Sequence, residues 1–130
     1  MKTYFLVIWL LTCSAKTLTA DEPPYVSLVQ LIANPKDFDG KVVQVCGVVR
    51  LEFEDKAIYL HSDDLKYSLT KNGLWLDTPS TQKQKFNGKY VLLEGTFNAA
   101  SKGHRDLWSG SLERISRIRL LRETEENYKP

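Results

Sequence analysis

Cysteine is scarce: Cys13 and Cys46 are the only two in 130 residues, too few for the bridge framework that holds a disulfide-dense secreted scaffold together. The 7 glycines follow no period, which excludes a collagenous repeat. Long apolar runs are missing too. The longest, Tyr4 to Leu11, is far short of the ~20 residues that span a bilayer. Charge shows no strong bias, with 18 basic against 16 acidic side chains. No catalytic signature stands out anywhere in the chain. What is present is a composition 42% apolar and 26% charged, that of one ordinary globular domain.

Met1-Lys2-Thr3 places one positive charge before the apolar run, and small and polar residues follow it up to Ala20, the pattern of a secretory signal peptide over residues 1–20. Cleavage after Ala15 and after Ala20 both satisfy the small-residue rule; the second is preferred because it leaves the polar Asp21-Glu22-Pro23-Pro24 start. Leu10-Leu11-Thr12-Cys13 is similar to a lipoprotein box with Thr12 where a small residue is wanted, which keeps lipidation of Cys13 as an alternative. Export predicts a periplasmic or secreted protein. Removing Lys2 and Lys16 leaves equal numbers of basic and acidic side chains, so binding of nucleic acid through phosphate neutralisation is disfavoured. Cys46 is then the sole cysteine, expected as a packing residue, and the fold must rest on its core.

Ser27 with Gln30 reads as a capping box, Val26 with Leu31 as a hydrophobic staple, and Leu28, Leu31 and Ile32 as one apolar stripe. Asn34-Pro35 ends that short helix. An internal echo follows at an offset of 48 residues. Phe38-Asp39-Gly40-Lys41-Val42-Val43 matches Phe86-Asn87-Gly88-Lys89-Tyr90-Val91, each a turn opening a β-branched strand. Alternation puts Val43, Val45, Val49 and Val91, Leu93, Phe97 inside, with Gly47 and Gly95 at inward bends and Gln44 and Glu94 on a wetter face.

Two further strands are expected at Ala57 to His61 and Gly73 to Asp77, with Ile58, Leu60, Leu74 and Leu76 inward. Between them Ser62 predicts an N-cap, Asp63 and Asp64 complement the first turn, and Leu65 and Leu69 share a helical face up to Asn72-Gly73. Pro79 to Lys85 offers a second helical turn. Leu112, Ile115, Ile118 and Leu121 recur every third residue, which predicts a last strand broken by a bulge, and residues 123–130 form a polar tail.

Asn34-Pro35, Phe38-Asp39-Gly40-Lys41-Val42-Val43 with Gly47, Gly88-Lys89-Tyr90-Val91 with Gly95-Thr96-Phe97, and Gly103-His104 with Leu107-Trp108-Ser109-Gly110 together resemble small exported bacterial proteins of the OB-fold type. The resemblance covers residues 25–122 and implies a mainly β, five-stranded Greek-key barrel with a short N-terminal helix and one or two short internal helices. An OB-fold carries its helix between the third and fourth strands, whereas the clearest helical signal here lies between the second and third.

The resemblance also implies where a ligand would bind: the outer face of the second and third strands, flanked by the first-to-second and fourth-to-fifth loops. Strand parity places Tyr59, His61 and Trp75 on that face, and the loop of residues 98–110 adds Lys102, His104, Arg105 and Trp108. These rings and charges would suit a protein, glycan or small-molecule ligand. The competing expectation has the aromatics buried beneath a helix. An enzymatic alternative, a small hydrolase or metal enzyme built on His61 and His104 with Asp63, Asp64 or Asp106, lacks ligand spacing on any one element, so no catalytic residue, metal or cofactor is assigned. Arg114, Arg117, Arg119 and Arg122 form the one basic cluster, expected either as a solvated face or as a contact for an anionic partner.

Overall fold

The structure, a computed structural model, describes residues 20–79 and 84–123. The expected leader, apart from Ala20, and the tail beyond Glu123 lie outside them. Two short helices, α1 (Leu28–Ala33) and α2 (Pro35–Phe38), precede β1 (Val42–Glu52) and β2 (Asp55–Tyr59). The helix α3 (Ser62–Lys66) leads to β3 (Gly73–Leu76), and β4 (Tyr90–Asn98) and β5 (Ser111–Leu120) complete the sheet. The chain is mainly β. Its five strands form one sheet in a ring, in the order β1-β2-β3-β5-β4, with every pairing antiparallel except β3 against β5.

The local signals in the sequence act much as they read. The Ser27 hydroxyl accepts from the Gln30 N–H at 3.1 Å and the Gln30 side chain accepts from the Ser27 N–H at 3.0 Å, so α1 starts on a complete capping box. Leu28 and Leu31, both fully buried, then seal one end of the ring with Val26. Its interior holds Val43, Val45, Val49, Ile58, Leu74, Leu76, Val91, Leu93 and Phe97, which alternation predicts as inward, together with Leu112 from β5, and Leu60 is packed at its margin.

β1 is the longest strand because it serves two neighbours in succession. Val42 to Val48 lie opposite β4, and Val48 to Glu52 lie opposite β2. Gly47 stands at the changeover. The echo proves to be a local two-fold relation between β1 and β4. The Gly40 N–H donates to Phe97 O at 2.8 Å and the Gly88 N–H to Val49 O at 2.7 Å, while Phe97 N–H donates to Lys41 O and Val49 N–H to Lys89 O. Each strand's opening turn is thus tied to the far end of the other.

The structure corrects several details. Pro35–Phe38 forms α2, since proline is well placed at a first helical turn even though it closes the preceding one. His61, not Ser62, is the N-cap of α3, and the Asp64 carboxylate accepts the His61 N–H at 3.2 Å and the Asn72 amide at 2.8 Å. The helix ends at Lys66, because Ser68 adopts φ 52°, so Leu69 is left exposed and a 3-10 turn at Thr70–Asn72 leads into β3. Of the expected turn before β4, the described part is a 3-10 turn at Gln84–Phe86.

Gln44 is buried, not wet, because residues 24–26 lie along β1: its N–H donates to Pro24 O and its carbonyl accepts from Val26 N–H. The expected bulge is present in β5, where Thr96 pairs with Glu113 but Glu94 with Arg117, and Arg114 takes φ 47°. Two extra residues on β5 explain the three-residue spacing of its apolar side chains.

Candidate functional site

The outer face of β1, β2 and β3 carries a second apolar cluster of Val48, Ala57, Tyr59 and Trp108, with Leu65 and Trp75 packed against it. Parity dictates this arrangement. Val48, Ala57, Tyr59 and Trp75 occupy the positions opposite in phase to the inward residues, so an aromatic stripe on that face needs a cover. Two pieces of chain supply it.

The first is α3, held down by Arg50 on the outer face of β1. One guanidinium nitrogen meets Asp55 Oδ2 at 2.7 Å and the other donates to Leu65 O at 2.6 Å. Burial works against the charge of Arg50, but the hydrogen bond and attraction of Asp55 outweigh it and its pKa is raised. The second cover is the long connection from β4 to β5. Ser109 N–H donates to Gly73 O, the Ser109 hydroxyl to Lys71 O at 2.7 Å, and Trp108 N–H to Lys102 O at 3.1 Å. Gly103, at φ 68°, lies so close to Trp75 that an added Cβ would stand 2.5 Å from the indole Cγ.

Of the seven side chains expected at a ligand face, Tyr59, Trp75 and Trp108 are therefore brought together, but not as an open platform. Tyr59 is fully buried and Trp108 2% exposed. Their rings are enclosed by α3 and the loop, a cover that strand parity has no means of indicating. Trp108 Nε1 donates to the Tyr59 hydroxyl at 3.3 Å, and its ring lies 4.9 Å from that of Trp75. Burial pushes the Tyr59 hydroxyl pKa up, with Asp55 adding to the shift and the Trp108 hydrogen bond opposing it. The phenol stays neutral and serves as an acceptor inside this second core.

Trp75 is the partly exposed member. Lys56 Nζ sits 5.6 Å from its ring centroid, and Gly103 borders it from the loop. Lys102, His104 and Arg105 are exposed along that loop, where Arg105 and Asp106 hold φ of 55° and 60°, values uncommon for residues with side chains. His61 is exposed at the start of α3, and no hydrogen bond or ion pair joins it to His104. Among the described residues no three His, Cys, Asp or Glu side chains gather where a metal ion could be held. Cys46 is partly exposed on β1 beside Tyr25, whose pKa is raised first by its interaction with the Cys46 side chain and then by burial.

The arginine cluster divides. Arg114 Nε reaches Thr96 Oγ1 at 3.4 Å, and Arg117 lies 3.8 Å from Glu94 and 3.6 Å from Glu22. Hydrogen bonds from Ser116 and Gln44, with the charge of Arg117 beside them, hold the Glu94 carboxyl below its usual range. Arg119 and Arg122 instead border a wide groove of about 970 Å³ together with Lys85 and Lys89. Sequence reasoning missed those two lysines. Lys89 opens β4 and Lys85 precedes it, so only the β4–β5 pairing brings them beside the end of β5.

No family model and no curated protein matches the chain. Among solved structures it is similar to a protein from Leishmania major Friedlin assigned as an aspartyl-tRNA synthetase, with 12% sequence identity and a TM-score of 0.47. That similarity covers 81% of this chain and 22% of the other, so the chain spans about a fifth of the length of the protein it matches.

Proposed function

We propose that this chain is an exported, non-enzymatic binding module of the OB-fold type, akin to small exported bacterial proteins, that takes its ligand at the rim where Trp75 emerges beneath the β4–β5 loop. The observation that carries this reading is the partial exposure of Trp75 between Lys56 and a loop whose tip holds two side-chain-bearing residues at positive φ. Such conformations are kept where the surroundings enforce them, often at binding sites. The strand order and the glycine-bent β1 and β4 support the fold assignment. An indole bordered by the loop that carries Lys102, His104 and Arg105 provides one apolar surface with donors on the adjoining segment, suited to a polar ligand with an apolar face.

A thermal-shift screen of the purified chain across glycans, peptides and small molecules, followed by titration of the strongest hit, tests this. Trp75→Ala should weaken that hit by about tenfold or more, as loss of an aromatic anchor does. Undiminished affinity in Trp75→Ala, or chelator-sensitive hydrolysis by the pure wild-type protein, would overturn the proposal. Export is tested separately by intact mass of the chain recovered from the cell envelope or medium of an expressing bacterium. The expected mass begins at Asp21; a retained Met1 or a lipidated Cys13 would contradict cleavage after Ala20.

A further inference from the structure

The groove at the end of β4 and β5 lies apart from the Trp75 rim and is built differently. Lys85 and Lys89 come from the segment entering β4, Arg119 and Arg122 from the end of β5, and among the described residues no carboxylate lines the space between them. None of these four cations has a carboxylate within ion-pair distance among the described residues, whereas Arg50 and Arg117 elsewhere on the ring are paired. Lys85 is held over the Phe86 ring at 5.0 Å, which keeps its charge at the groove. Between the cations lie Phe86, Leu120 and Leu121, the two leucines 45% and 39% exposed.

From this lining we infer a second binding site, one that takes an acidic polypeptide segment with apolar side chains between its carboxylates. Charge complementarity selects an anion, and Arg119 and Arg122 each offer the planar fork that matches a carboxylate. Interleaved leucines give the ligand something to bury that a small hydrated anion or a phosphate chain lacks. An anionic lipid surface is separated from a polypeptide by the vesicle competition below.

The test uses the full chain and a fluorescent synthetic peptide alternating glutamate and leucine, with fluorescence anisotropy as the readout. Binding should weaken as salt is raised, and Lys85→Glu with Lys89→Glu should reduce affinity by about tenfold or more. Arg114→Glu removes a cation elsewhere on β5 and should change it by less than about twofold. Lys85→Gln with Lys89→Gln repeats the experiment without introducing new charge, and melting curves report that each variant is folded. The inference is overturned if a glutamine-leucine peptide binds equally, if Arg114→Glu loses as much as the lysine variants, or if polyphosphate or phosphatidylglycerol vesicles compete at lower concentration than the unlabelled peptide. Because Trp75 lies outside this groove, Trp75→Ala should leave peptide affinity unchanged, which separates failure at one site from failure at the other.

Discussion

Replacing Trp108 with alanine should lower the stability of the fold by about 3 to 5 kcal/mol, the range for truncating a buried tryptophan. The indole is 2% exposed and packs with Val48, Ala57 and Tyr59. Its loss leaves a void that α3 and the β4–β5 loop fill poorly, since α3 is pinned to Arg50 of β1 and the loop to Gly73 of β3 by hydrogen bonds. It also leaves the Tyr59 hydroxyl without its donor. Trp108→Phe keeps part of the ring volume and removes that donor, so it should cost less, about 1 to 3 kcal/mol. Denaturant unfolding of the three proteins checks the order. A change below about 1 kcal/mol in Trp108→Ala would mean that the loop is not held by this ring and that the second core is dispensable.

The same residue shows how far the sequence could be read. Alternation correctly put Tyr59 and Trp75 outside the ring, and the glycines and β-branched residues marked β1 and β4 as partners in one role. Those are signals of period and turn chemistry, carried by neighbours in sequence. That Tyr59 and Trp108 are enclosed depends instead on where α3 and residues 98–110 fold back, a long-range outcome with no local signature. The basic groove was half legible for the same reason: Arg119 and Arg122 stand out as a run, but Lys85 and Lys89 join them only once β4 pairs with β5.

The second large effect is expected at Gly47. A Cβ there would run into the backbone carbonyl of Tyr59 and stand 2.7 Å from Ile58 Cγ1. The carbonyl belongs to β2 and cannot rotate away as a side chain would. Gly47→Val should therefore destabilise by about 3 kcal/mol, the upper part of the overpacking range, or prevent folding outright. Gly95→Val, its counterpart in the two-fold relation, meets Glu113 O at 2.9 Å and Ile115 Cγ1 at 3.4 Å beside the bulge. More room there predicts a smaller loss, about 1 to 3 kcal/mol. Equal losses at the two positions would show that the bulge does not relieve the crowding.

The parallel closure of β3 on β5 rests on only two paired positions, Trp75 with Ser111 and Leu76 with Leu112. Every other junction in the ring is longer. Were this one to part, β3 and β5 would each become a bare edge, and an unpaired edge is a template on which another chain can add. Trp108 and Ser109 fasten the β4–β5 loop across that junction, so the loop acts as a guard against strand exchange between molecules. Loosening the loop would thus show first as aggregation, ahead of any loss of the fold's other contacts.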